Sequence, residues 1–179
     1  MSIKGLILAG GSGSRLFPIT KVISKQLLPI YDKPMIYYPL SILMLANIKE
    51  IGIIVSPKFL ENYKDLLGDG SQLGISIKYF EQEKANGLPE ALNITSEYMK
   101  NSKICMILGD NIFYGANFIT DYISGELKKN CSTIFLYEVP DPSRFGIVEL
   151  NKNNKISKII EKPKVTNSNL AITGIYIFD

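Results

Sequence analysis

The chain has 179 residues, 46% of them apolar and 21% charged, which is enough to bury one sizeable core and is ordinary for a water-soluble domain. Its 20 basic and 17 acidic residues leave a net charge of +3 spread along the chain, without the dense basic block that a nucleic-acid partner would require. There is no histidine, which excludes Ser/His/Asp and Cys/His nucleophile schemes and most zinc sites and leaves chemistry to carboxylates, Lys, Arg, backbone amides and a hard metal ion.

The amino terminus carries one cation, Lys4, and then a short apolar run that ends in glycines, so it matches neither a signal peptide nor a membrane span; a cytoplasmic protein is expected. That run, residues 5–9, is the first predicted strand. Further apolar, β-branched runs at 51–56, 75–80, 104–108 and 133–138 alternate with helix-length stretches at 39–47, 57–67, 88–99 and 117–129. The last helix carries Phe118, Ile119, Tyr122 and Ile123 at helical spacing. This alternation predicts βαβ units around a mostly parallel sheet with helices on its faces. Pro140-Asp141-Pro142 breaks the pattern, and 146–150, 156–161 and 170–178 read as strands joined by polar turns, so the sheet should be mixed at that end. No linker or repeat interrupts the chain, and residues 1–179 are expected to form one domain. A strong strand pattern directly before Asp179 reads as a fragment. Cys105, inside an apolar run, and Cys131 are expected to be structural.

Gly10-Gly11-Ser12-Gly13-Ser14-Arg15-Leu16 follows the first strand directly, at the sheet edge where open α/β folds bind ligands. Leu16 stands where G-x-G-x-x-G needs its third glycine, and no Gly-Lys-Ser/Thr closes the loop, so neither a nicotinamide-dependent oxidoreductase nor a P-loop ATPase is supported. Small residues still let backbone amides converge on an anion, and the guanidinium of Arg15 suits phosphate oxygens, although by pattern alone a plain turn with a solvated arginine fits as well. Lys25, in Ser24-Lys25-Gln26-Leu27-Leu28-Pro29, either neutralises a pyrophosphate or is a surface lysine. Gly109-Asp110-Asn111 ends a buried strand and delivers a carboxylate to the same edge, where a phosphate-bound magnesium ion needs an oxygen ligand; a turn or helix cap is the alternative.

Together these segments resemble the sugar-phosphate nucleotidyltransferases. The stretch from Lys25-Gln26-Leu27-Leu28-Pro29 through Tyr37-Tyr38-Pro39-Leu40-Ser41, then Leu67-Gly68-Asp69-Gly70-Ser71, then Gly109-Asp110-Asn111-Ile112-Phe113-Tyr114-Gly115, are similar to the thymidylyltransferase branch of that family. The resemblance continues to Glu161-Lys162-Pro163 and Thr173-Gly174-Ile175-Tyr176 and so covers essentially the whole chain. It implies a Rossmann-like nucleotidyltransferase fold, with a mixed, mostly parallel sheet flanked by helices. The activity it implies is transfer of dTMP from dTTP to α-D-glucose 1-phosphate with Mg2+, giving dTDP-glucose and pyrophosphate, commonly for rhamnose precursors.

By the same resemblance Arg15 and Lys25 stabilise the triphosphate, Asp110 holds the metal, and Gly10, Gly11 and Gly13, with Ser14 and Gln26, contact the nucleotide. Gln82 would read the thymine edge, Gly87 would admit base or ribose, and Asn111 would lie beside the nucleotide sugar. Gly146, Glu161, Lys162 and Ile172 match positions that meet the glucosyl phosphate. Phe145 replaces the family's usual tyrosine and Ile172 its usual valine, so the sugar pocket is expected to differ slightly in polarity and volume. Family members are longer, and their later part supplies a second metal-binding aspartate and helices used in oligomer assembly. A dTTP-binding domain without activity and a uridylyltransferase are therefore the competing expectations.

Overall fold

The computed structural model describes residues 2–84, 86–115 and 122–179. Four strands, β1 (Ser2–Ala9), β4 (Glu50–Val55), β5 (Ser76–Glu81) and β6 (Ser102–Leu108), run parallel in the order β5-β4-β1-β6. The middle of this set is apolar on both faces, as two-sided burial demands: Leu6 and Ile7, Ile53 and Ile54, Met106 and Ile107 are all inaccessible to solvent. A hairpin of two-residue strands, β2 (Pro29–Ile30) and β3 (Lys33–Pro34), stands apart from the sheet.

Beyond β6 the sheet turns antiparallel. The strand β10 (Leu170–Phe178) pairs with β6 through Ile175 to Phe178 and with β7 (Thr133–Glu138) along its other edge. Ala171 of β10 pairs with Ile147 of β8 (Gly146–Leu150), which in turn pairs with β9 (Ile156–Glu161). The fifth predicted strand, β7, therefore lies outside the parallel set, and the mixed end follows the predicted 146–150, 156–161 and 170–178 segments residue for residue.

Helices cover both faces. The helices α1 (Tyr37–Leu45) and α2 (Leu60–Leu67) bury Leu40, Leu43, Tyr63 and Leu67 against Ile7, Ile51, Ile53 and Ile107 on one face. On the other, Leu88, Ala91, Leu92 and Met99 of α3 (Leu88–Ile94) and α4 (Ser96–Met99) meet Leu6, Ile54, Ile104 and Met106. The predicted helix 88–99 is thus two pieces, broken at Thr95, whose Oγ1 donates back to the Ala91 carbonyl at 2.8 Å. Likewise 57–67 begins as a 3-10 turn over Pro57–Phe59 before α2. Of the predicted helix 117–129, Phe118 and Ile119 lie outside the described residues; its later part contains α5 (Ser124–Glu126), flanked by buried Ile123 and Leu127.

Candidate active site

Chain order after β1 moves outward to β4 and β5 and then jumps across β1 to β6, so β1 and β6 flank the point where the connections diverge. Open α/β sheets form a crevice outside the carboxyl ends of strands at such a point. Three segments meet there: the glycine loop after β1, Gly109-Asp110-Asn111 after β6, and Gln82 after β5. The amide of Gly109 donates to the Leu8 carbonyl at 2.8 Å, which carries the β1–β6 ladder into the loop and fixes where Asp110 begins.

Gly13 has φ +62, and a Cβ there would sit 2.8 Å from Thr20 Cγ2; Thr20 Oγ1 and the Leu16 amide both donate to the Gly13 carbonyl at 2.9 Å. These bonds fold residues 13 to 20 into a cradle that carries Ser14, Arg15 and Leu16. A cavity of about 380 Å³ is lined by Gly11, Ser12, Gly13, Ser14, Arg15, Leu16, Lys25, Gln26 and Asp110. Across it, Lys25 Nζ donates to Asp110 Oδ2 at 2.6 Å, and Asn111 Nδ2 donates to Oδ1 at 3.2 Å. Both partners of the ion pair are partly exposed, so solvent screens the pair and it adds little to stability. Its meaning is positional: a cation and an anion from opposite sides of the crevice converge on one spot.

Lys25 and Gln26 are held from behind. Ser24 Oγ lies 2.7 Å from the Tyr63 hydroxyl and donates to Gln26 Oε1 at 3.0 Å, and the Gln26 carbonyl accepts from the Ile36 amide at 2.8 Å. All three side chains are buried, and burial pushes the Tyr63 phenol up to about 12. With its oxygen occupied, Gln26 offers Nε2 as the free end of its amide.

A second cavity of about 290 Å³ continues from the first, sharing Gly11, Gln26 and Asp110 and adding Gly10, Gln82, Gly87 and Leu88. Gly10 has no side chain because Gln82 Oε1 lies 3.0 Å from where its Cβ would be. Gln82 is 5% exposed, and its Nε2 donates to Glu90 Oε2 at 2.9 Å.

Gly146, Glu161, Lys162 and Ile172 form a separate patch. A Cβ on Gly146 would lie 3.2 Å from Glu161 Oε2 and 3.7 Å from Ile172 Cδ1, Gly146 pairs with Glu161 across β8 and β9, and the Lys162 amide donates to the Phe145 carbonyl at 2.9 Å. Glu161 and Lys162 are exposed and pair with each other at 3.3 Å. The charge of Glu161, after burial, helps to raise the Tyr176 phenol above its ordinary value. Asn111 joins this patch to the crevice that holds Asp110, since its side chain lies against Gly174 of β10 and it shares with Phe145, Ile172 and Thr173 a cavity of about 650 Å³. Thr173 Oγ1 is buried beside that cavity without a hydrogen-bond partner among the described residues.

A divalent cation fits this crevice chemically. Asp110 supplies one hard oxygen ligand at the mouth of both cavities, and Mg2+ is commonly held by one or two carboxylates together with water and substrate phosphates.

The family model described as Nucleotidyl transferase matches residues 4–179. The chain belongs to the nucleotidyl transferase family. Over 177 residues it is 51% identical to the glucose-1-phosphate thymidylyltransferase of Neisseria meningitidis, covering 99% of this chain and 62% of that protein. It is 44% identical over 182 residues to the glucose-1-phosphate thymidylyltransferase of Mycobacterium tuberculosis, with 99% of this chain and 61% of that one covered. The chain thus spans about 60% of the length of these curated relatives. A Bacillus anthracis protein assigned to the glucose-1-phosphate thymidylyltransferases, solved with sucrose, superposes with a TM-score of 0.91 at 40% identity over 99% of this chain and 72% of that chain. UDP-glucose pyrophosphorylase in complex with UDP-glucose superposes with a TM-score of 0.84 at 28% identity, over 99% of this chain and 76% of that one.

For a nucleotidyl transferase, two supports of the crevice carry no sequence signal of their own: Ser24 and Tyr63 are 39 residues apart yet act as one support, and Glu90 reads as an ordinary first-turn helix acid. Beside the separate patch, Thr173 sits in an unremarkable strand. Only the Thr173-Gly174 pair, within a segment that resembles the family, hints at its position.

Proposed function

We propose that residues 1–179 are the nucleotide-binding domain of a glucose-1-phosphate thymidylyltransferase, which transfers dTMP from dTTP to α-D-glucose 1-phosphate and releases pyrophosphate. The observation that carries this reading is the crevice at the β1–β6 divergence, where Lys25 pairs with Asp110, the one carboxylate among the described lining residues, and Arg15 lines the same cavity. The names of the curated relatives support the choice of base and sugar.

Attack by the sugar phosphate on the α-phosphorus, in line with the leaving pyrophosphate, needs positioning and charge neutralisation rather than a covalent nucleophile. In this reading Arg15 and Lys25 neutralise the β- and γ-phosphates, and the backbone of Gly11, which faces open space, lets the triphosphate approach closely. Ser14 and Gln26 donate to phosphate or ribose, and Gln82 and Gly87 receive the base. Asn111 lies beside the ribose, while Gly146, Glu161, Lys162 and Ile172 receive the glucosyl phosphate. Mg2+, held by Asp110, would supply charge neutralisation at phosphate oxygens. Lys25, now paired with Asp110, would then be free to pair with phosphate. A cytoplasmic setting fits a reaction that consumes a nucleoside triphosphate; among the described residues no helix is long and apolar enough to cross a membrane.

The test is pyrophosphate release by this chain from dTTP with glucose 1-phosphate, against either substrate alone. Release that depends on both supports transfer. Saturable dTTP binding without release supports a second reading, a binding domain that needs further ligands for the metal; the solitary position of Asp110 favours that reading over any unrelated one. Thymine and uracil differ by one methyl group, worth roughly 1–3 kcal/mol. Competition between dTTP and UTP therefore reads the choice of base directly.

A further inference from the structure

Gln82 carries an ambiguity that its own chemistry cannot resolve. A glutamine amide has an oxygen that accepts and a nitrogen that donates, and a half-turn about its last bond exchanges them at little cost. One orientation presents acceptor and donor in the order that pairs with an imide edge, the N3–H and O4 of thymine or uracil. The other presents them in the order that pairs with cytosine, whose N3 accepts and whose exocyclic amine donates. A freely turning Gln82 would accept both bases.

The structure removes that freedom. The amide of Gln82 donates to the Val55 carbonyl at 2.9 Å, which fixes its backbone at the end of the β4–β5 pair, and its side chain is 5% exposed. Nε2 donates to Glu90 Oε2 at 2.9 Å, and Oε1 faces Gly10. A carboxylate has no hydrogen to give. Turning the amide would set Gln82 Oε1 against Glu90 Oε2, two acceptors in contact in a half-buried place. Glu90 itself lies behind Gln82 and does not line the cavity.

We propose that Glu90 is a positioning residue that locks the Gln82 amide in one orientation and so makes the crevice select nucleotides with an imide edge and reject cytosine. This rests on the reading above in which Gln82 meets the base. Selection arises from the disfavoured flip as much as from the favoured pairing.

The experiment titrates this chain, its Glu90→Gln variant and its Gln82→Ala variant with dTTP, dUTP and dCTP in a calorimeter. A glutamine at position 90 can donate or accept and therefore supports either orientation of Gln82. In Glu90→Gln the preference for dTTP over dCTP should narrow by about 10- to 100-fold, the range expected for one hydrogen bond to a charged group. The preference between dTTP and dUTP, which share the imide edge, should hold. A role for Glu90 in folding alone would weaken all three nucleotides together and leave both ratios unchanged, and that result overturns the proposal. Gln82→Ala separates the two layers of inference. If it collapses the ratio of dTTP to dCTP while Glu90→Gln does not, Gln82 reads the base and the proposal for Glu90 falls alone. If neither variant changes the ratio, or the unaltered chain binds no dTTP, the assignment of Gln82 falls and takes the proposal with it.

Discussion

Lys25 and Asp110, 85 residues apart in sequence, meet at 2.6 Å because a 3-10 turn over Lys25–Leu27 and the end of a buried strand face each other across the crevice. If that crevice performs transfer, removing one of the charges that balance the phosphates costs on the order of 100- to 1,000-fold in rate. Arg15→Ala, Lys25→Ala and Asp110→Asn should each lower kcat by that order in steady-state pyrophosphate assays; near-normal turnover in all three would refute the site. Tyr63→Phe tests the support behind them. The variant loses the hydroxyl that lies against Ser24, the donor to Gln26 Oε1, so folding stability should fall by about 1 kcal/mol in urea denaturation and dTTP affinity should drop severalfold. Arg15, Lys25 and Asp110 were legible as candidates because glycine loops and strand-ending acids have chemical uses at a known edge of the fold. Ser24, Tyr63 and Glu90 were not, since a residue that acts through another leaves no spacing signature, and contact between distant positions appears only once the chain folds.

Among elements, the parallel strands were readable because burial on both faces favours near-continuous apolar runs, and β1, β4 and β6 supply them. The break at Thr95 was not, because the apolar positions of α3 and α4 keep helical spacing across it while a single side-chain hydroxyl competes for a backbone carbonyl. The hairpin β2–β3 escaped notice too, its strands being only two residues long, with a proline in each and Tyr31 at φ 59 between them. The join between β1 and β6 can be probed directly. A Cβ on Gly109 would lie 2.6 Å from the Leu8 carbonyl oxygen, a backbone atom that cannot swing away. Gly109→Ala should therefore cost about 1–3 kcal/mol by overpacking, read as a lower denaturant midpoint, and it should also disturb Asp110 next to it.

For the molecule as a whole, stability should decline on the alkaline side. Burial holds the Cys105 thiol up at about 12 from an ordinary 9.0 and the Tyr63 phenol at about 12 from 10.0, so the folded state keeps protons that the unfolded chain releases. Both contributions are complete below about pH 9 and are lost progressively as pH climbs towards 12. Denaturant midpoints measured at neutrality and at steps through this window should fall steadily, and a Cys105→Ala variant should show a shallower slope.

The register of β10 with β7 shifts between Ile172 and Tyr176, and neither Thr173 nor Gly174 has a cross-strand partner on β6, β7 or β8. The largest sheet among the described residues therefore contains a short unstitched seam, with the side chain of Asn111 lying against Gly174 on its face. Amide hydrogens at Thr173 and Gly174 should exchange with deuterated water faster than those at Ile175 and Ile177 of the same strand. If nucleotide and sugar phosphate bind on either side of Asn111 as proposed, they should slow this exchange when both are present, so that the weakest stitch of the fabric becomes its most sensitive reporter of occupancy.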